Sequence, residues 1–174
     1  MDDKAEAPSA PSLWIARFAG QVPSGPVLDV AAGSGRHSVL FLDLGHPVLA
    51  IDRDVARLRP LADRAGFEAR ANDLEVGGDP LPGGTFAAVV VTNYLHRSLL
   101  PSLIAAVAPQ GWLLYETFAV GNEQYGRPSN PDFLLRPDEL IDAVRGRLEI
   151  VAYEHMTDTE PRLAVRQRIA ARRT

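Results

Sequence analysis

Apolar positions along this chain follow two alternating rhythms. Short apolar runs, Val27–Val30 interrupted only by Asp29, Val48–Ile51, Phe86–Val91 and Trp112–Tyr115, read as strands, and the unbroken Phe86–Val91 run reads as a central strand buried on both faces. Between them the spacing turns helical. Leu13, Trp14, Ile15, Phe18 and Ala19 share one side of a short helix that Gly20 ends. Val39, Leu40, Leu42 and Leu44 belong to a helix that starts at Arg36 and stops at Gly45. Val55, Leu58, Leu61, Ala62 and Ala65 give a third helix, with Asp54 as N-cap and Gly66 as stop, and Leu99–Val107 a fourth.

A weaker strand at Phe67–Ala71 leads into a loop dense in Gly and Pro, residues 75–84, and Pro109-Gln-Gly111 reads as a turn. Thr117–Pro137 is a long polar and aromatic insertion, followed by a short helix from Pro137 to Gly146. Leu148–His155 and Leu163–Ala170 close the chain as a hairpin around Thr157–Pro161. Strand and helix units in alternation, followed by a hairpin, predict an α/β fold.

Length and composition narrow this to one domain, since 174 residues support one sizeable core. Residues 1–12 are polar and rich in Pro, Ser and Ala, and read as a mobile tail before a domain spanning 13–174. The chain has no cysteine, which removes disulfides, thiolate nucleophiles and Cys-ligated metals. No secretory signal or membrane-length apolar run is present, so the expected location is cytoplasmic. A net charge of -4 argues against bulk nucleic acid as the main partner and leaves a small molecule as the default. The arginines Arg162, Arg166, Arg168, Arg172 and Arg173 read as a solvated face. His37, His46, His96 and His155 form no metalloenzyme motif, so no metal is expected.

The chemistry concentrates after the first strand, in Asp29-Val-Ala-Ala-Gly-Ser-Gly35 followed by a helix. Glycines permit a sharp turn and close approach of a ligand to backbone amides, and the helix N-terminus supplies unpaired N–H donors. A dinucleotide fingerprint would place its third glycine where Ser38 stands. Asp29, Asp52 and Asp73 all fall at or near strand ends, on the sheet edge where ligands of open α/β folds bind. To a pyrophosphate each is a repulsion of roughly 1 to 4 kcal/mol. To a ligand with an ammonium, a sulfonium, a ribose diol and an adenine amine each is a partner, and S-adenosylmethionine is such a ligand. Its carboxylate suits the helix N-terminus after Gly35, with Arg36 beside it.

Asp29–Gly35 resembles the first motif of class I S-adenosylmethionine-dependent methyltransferases, with Ala31 in place of its first glycine. Asp52 matches that family's ribose-binding acid, and Asn72-Asp73-Leu74 its adenine-side segment. More narrowly, Thr92–Arg97, Tyr115–Phe118 and Gly126–Leu135 resemble small bacterial methyltransferases of the tellurite-resistance type. The resemblance implies a Rossmann-like doubly wound sheet of seven strands in the order 3-2-1-4-5-7-6, the last antiparallel.

It also implies cofactor contacts from Asp29, Ala31, Gly33, Gly35, Arg36, Asp52, Arg53, Asp73 and Leu74, and from Asn93, Tyr94 and a partly core Leu95 after the fourth strand. The expected activity is methyl transfer to a small-molecule acceptor, with S-adenosylhomocysteine as the other product. His96, Tyr115 and Glu116 are candidate proton acceptors, with a helix-capping role open for His96. Arg97 and, in the insertion, Tyr125, Arg127 and Asn130 are candidate acceptor contacts, with loop pinning open for the latter three. A non-catalytic binder of the same cofactor and a nicotinamide-linked reductase are the alternatives.

Overall fold

The computed structural model describes residues 9–76 and 80–174. Residues 1–8 of the expected tail and residues 77–79 of the Gly/Pro loop lie outside the described residues. The sheet has seven strands in the order β3-β2-β1-β4-β5-β7-β6. These are β1 Val27–Val30, β2 Val48–Asp52, β3 Phe67–Ala71, β4 Phe86–Thr92, β5 Val107–Phe118, β6 Glu149–Asp158 and β7 Ala164–Arg172. β1 to β5 run parallel, and β7 lies antiparallel between β5 and β6.

Successive residues of the central strands point to opposite faces, and both faces are covered. Val27, Ala88 and Val90 join Trp14, Ile15 and Phe18 of helix α1 (Leu13–Ala19) and Phe41 of α2 (Arg36–Asp43). Leu28, Val89 and Val91 join Leu103 of α3 (Leu100–Ala105) and Leu140 of α4 (Glu139–Val144) on the other face. That double cover is why Phe86–Val91 could be apolar without interruption.

Helix α2 turns His37, Ser38 and Phe41 fully inward, with Ser38 over Asp29 on β1, while Val39, Leu40 and Leu42 pack half-buried at the edge of the core and Leu44 is exposed. Three local expectations are corrected. Leu13 stands 89% exposed because Ser12 caps α1, turning Trp14, Ile15 and Phe18 inward and Leu13 out. The third helix shrinks to a 3-10 segment, Ala56–Leu61, with Pro60 inside it; proline has no N–H to give and its ring clashes with the preceding turn. α3 ends at Ala105, and the Pro109–Gly111 turn becomes an irregularity inside β5, with Gln110 at φ 61°.

The insertion after β5 is fastened down. Ala119 bridges Leu135, Leu134 and Leu135 are buried, and two short 3-10 segments, Asn122–Gln124 and Pro131–Phe133, take up the rest. Among the described residues no helix is long and apolar enough to cross a membrane.

Candidate active site

The parallel strands end together at Val30, Asp52, Ala71 and Thr92, and the glycine turn rises from this edge. Gly33 and Gly35 take φ of 58° and 77°, in the left-handed region that glycine enters freely. At Gly35 a methyl would lie 2.6 Å from Leu61 Cδ1 and 2.9 Å from Leu58 Cδ2, so the conformation favours glycine and any side chain would also have to push these leucine methyls aside. Ala31, at φ 53°, holds the same conformation with a side chain and carries strain of about 1–2 kcal/mol.

Asp52 fixes this turn. Its Oδ2 accepts the Gly33 N–H at 2.8 Å and its Oδ1 the Asp54 N–H at 3.0 Å. A carboxylate has about four lone-pair sites, so each oxygen keeps one for a ligand hydroxyl. Asp52, Arg53, Asn72, Asp73, Glu75 and Tyr94, with Ala31 and Leu74, line a cleft of about 210 Å³. The Tyr94 hydroxyl is buried there without a partner among the described residues, and burial, with Glu75 and Asp73 nearby, pushes its pKa up to about 12. It is a protonated donor in an acidic cleft. This fits an adenosine: the acids suit a diol and an amine, and the glycine turn leaves room for a close approach.

Asp29 lies beneath the turn, not in the cleft. It is 2% exposed and accepts the Ser38 hydroxyl at 2.7 Å. Burial pushes its pKa up to about 6 against the downward pull of Ser38 and Arg36. His37 beside it is held down at about 3 by burial, with the Arg36 charge adding to the effect. Native Asp29 therefore keeps a proton that the unfolded chain loses above the ordinary value of 3.8, so its contribution is full below that pH and is lost as pH rises through about 6. His37 has the opposite sign, contributing above 6.5 and losing this as pH falls toward about 3. Over the shared interval each slope reaches about 1.4 kcal/mol per pH unit and the two oppose. Asp29→Asn unmasks one of them. Relative to the parent chain, its stability in urea denaturation is expected to climb by up to about 1.4 kcal/mol per unit between about pH 4 and 6. Parallel stability curves would show that Asp29 carries no such proton.

On the other side of the turn opens a cavity of about 680 Å³, with Arg36 and Asn93 on one side and Glu116, Arg166 and Arg168 on another. Here two of the C-terminal arginines, Arg166 and Arg168, depart from expectation. Antiparallel β7 begins at the edge where β5 ends, which pairs Glu116 with Arg168 and Phe118 with Arg166. Their side chains are only 12% and 15% exposed. Arg168 donates to Glu116 and Asp158 and, at 3.5 Å, to Glu154. Arg166 donates to Asn93 Oδ1 at 2.6 Å and lies over the Phe118 ring at 4.1 Å. Sequence reasoning missed Arg166, Arg168, Glu154 and Asp158 as site residues. The usable signal was the two-residue spacing of Arg166 and Arg168, which puts both on one face of β7.

Other expected residues are placed differently. Tyr115 is 1% exposed, donates its hydroxyl to the Tyr94 carbonyl at 2.8 Å, and has its pKa driven far upward by burial, so it is no proton acceptor. Leu95 is wholly core. His96 stands at the N-cap position of the 3-10 segment Arg97–Leu99 without a side-chain capping bond, and its Nε2 lies 2.6 Å from Ser98 Oγ. Arg97 spends its guanidinium on Glu139 Oε1 and Oε2 at 2.6 and 3.0 Å and on the carbonyls of Asp132 and Leu134, both at 2.7 Å. Asn130 accepts the Asp132 N–H at 3.0 Å, pinning the loop, while Tyr125 and Arg127 are exposed outside both cavities. Among the described residues no three His, Asp or Glu converge as a metal site requires.

A seven-stranded sheet of this order, with a reversed β7 and a glycine turn after β1, is the fold of S-adenosylmethionine-dependent methyltransferases. Among solved structures, the chain is similar to TehB from Haemophilus influenzae, with a TM-score of 0.76 at 18% identity over 97% of this chain. It spans 64% of that protein's chain, slightly under two thirds. The glycopeptide N-methyltransferase MtfA complexed with S-adenosyl-L-homocysteine aligns at TM-score 0.65 and 21% identity, over 100% of this chain and 92% of its own. A third, the 1,6-didemethyltoxoflavin-N1-methyltransferase of Burkholderia thailandensis with bound 1,6-didemethyltoxoflavin and S-adenosylhomocysteine, aligns at 0.65 and 21%, over 91% and 78%. At these identities the likeness is one of fold. No protein-family model and no curated sequence matches the chain.

Proposed function

We propose that this chain transfers a methyl group from S-adenosylmethionine to a small-molecule acceptor. The observation that carries this reading is the pair of cavities flanking one glycine turn: Ala31 lines the acidic cleft, and Arg36, five residues on, lines the larger cavity. Bound in this way, S-adenosylmethionine supplies an electrophilic methyl whose departure leaves a neutral thioether, so no oxyanion hole is required.

The chain's own work is holding and aligning. Asp52 would take the ribose diol with its remaining lone pairs, Asp73 and Leu74 would border the adenine, and the Arg36 side chain with the backbone amides that open α2 would meet the carboxylate. Asn93 is held by Arg166 on the cavity side, where the acceptor would lie. Glu116 lines that cavity together with Glu154, Asp158 and Glu160, and is the one remaining proton acceptor of the expected trio, oriented by Arg168. Alignment of this kind is worth up to about 7–11 kcal/mol in favourable cases, enough to make positioning the main source of rate. A cavity of about 680 Å³ suits an organic molecule of modest size.

Calorimetric titration tests the reading directly. S-adenosylhomocysteine is expected to bind and NAD is not, and a screen of thiols, amines, carboxylates and chalcogen oxyanions with labelled methyl donor is expected to find an acceptor. Binding of NAD alone would overturn the assignment. Cofactor binding with no transfer to any acceptor class would identify a sensor.

A further inference from the structure

The outer wall of the large cavity is not made by the sheet. Ser9 to Leu13, with Trp14 and Arg17 of α1, closes that side. α1 itself is anchored in the core by Trp14, Ile15 and Phe18, and Trp14 Nε1 also donates to the Ile169 carbonyl at 3.3 Å. The stretch before it has no such apolar anchor. Its attachment comes from the first turn of α2, where Arg36 Nη1 reaches the Ala10 carbonyl at 3.4 Å and His37 takes the Ser12 amide.

His37 is 2% exposed and lines neither cavity. Its Nε2 lies 3.1 Å from the Ser12 backbone nitrogen, and a backbone amide can only donate, so Nε2 carries no proton. In the neutral ring the proton then sits on Nδ1, 3.4 Å from Thr92 Oγ1 at the end of β4. This bond completes the accounting at Ser12, whose Oγ accepts from the amides of Trp14 and Ile15 and whose carbonyl accepts from Ala16. Ser12 is itself buried, so without the imidazole its amide would be left unpaired.

We propose that His37 is a positioning residue for the acceptor: its unprotonated Nε2 clamps the start of α1 to the helix that begins at the glycine turn, and so fixes the wall of the acceptor cavity. The inference rests on the methyl-transfer reading for its kinetic consequence, but not for its structural one.

The test compares substitutions by reach. His37→Asn places an amide near the Nδ1 position, keeping the Thr92 side and losing Ser12, whereas His37→Gln extends an acceptor oxygen to the Nε2 position. By hydrogen exchange, the Ser12 amide is expected to lose about ten-fold of its protection in the Asn variant and to recover it in the Gln variant. S-adenosylhomocysteine affinity should stay within about two-fold in both, while KM for the acceptor rises about ten-fold in the Asn variant with kcat little changed. His37→Phe, which removes both contacts, should match or exceed the Asn variant; if it fails to fold, the Asn and Gln pair decides alone. Unchanged Ser12 protection in the Asn variant overturns the clamp. Loss of cofactor affinity in step with loss of protection also overturns it, by assigning His37 to the glycine turn instead. Failure of the parent chain to bind S-adenosylhomocysteine would strike the methyl-transfer reading and leave the exchange result standing.

Discussion

Asp52→Ala is expected to weaken S-adenosylhomocysteine binding by about 100-fold or more. The side chain does two things at once: it anchors the turn through the Gly33 and Asp54 amides and offers the lone pairs that a ribose diol would use. Hydrogen bonds to a charged group contribute about 1.5–3 kcal/mol each, so losing two reaches that factor. Asp52→Asn keeps one carbonyl oxygen but gives up the charge, and an intermediate loss of about ten-fold is expected. Calorimetry on the three proteins checks the series. Unchanged affinity in the alanine variant would remove Asp52, and with it the acidic cleft, from the cofactor site.

Arg97→Ala is expected to cost about 2–3 kcal/mol of stability in chemical denaturation and to open the insertion to proteolysis. Arg97 holds Glu139 with two parallel bonds and the carbonyls of Asp132 and Leu134 with two more, joining the segment after β4 to the insertion and to α4. Its removal leaves Glu139, whose side chain is 11% exposed, with only Arg136 as partner among the described residues. Because none of these groups lines the acidic cleft, S-adenosylhomocysteine affinity should hold within about two-fold. A stable, protease-resistant variant with a raised acceptor KM would return Arg97 to the substrate.

The two experiments divide the site as the sequence and the structure do. Asp52 was readable because its position is local: a strand-length apolar run ends on an acid, and the edge to which it points follows from strand direction. Gly35 was readable for the same reason, since a turn into a helix asks for φ that glycine gives freely. Arg97 was not. Its neighbours in sequence are a tyrosine pocket segment and a short helix, while its partners are 35 to 42 residues away. The helix expected at 55–65 failed for a local reason that was visible, Pro60, outweighed by an apolar spacing that looked helical.

By itself the sequence determined the seven strands and most of the helices between them, the glycine turn, and the acids at or near the ends of β1, β2 and β3, because each depends on residues within a few positions of one another. The order of the strands followed from resemblance, and the tertiary structure bears it out. What only the tertiary structure decided is the acceptor side. Setting β7 antiparallel beside β5 carries Arg168 across 52 residues to Glu116 and Arg166 across 73 to Asn93, turning two members of a basic run read as solvated into the wall of a cavity. Docking α1 brings Ser12 across 25 residues to His37. Charge pairs and buried amides take their partners from whatever the packed backbone places within about 3 Å, and that choice is made by which distant strands and helices come to lie side by side.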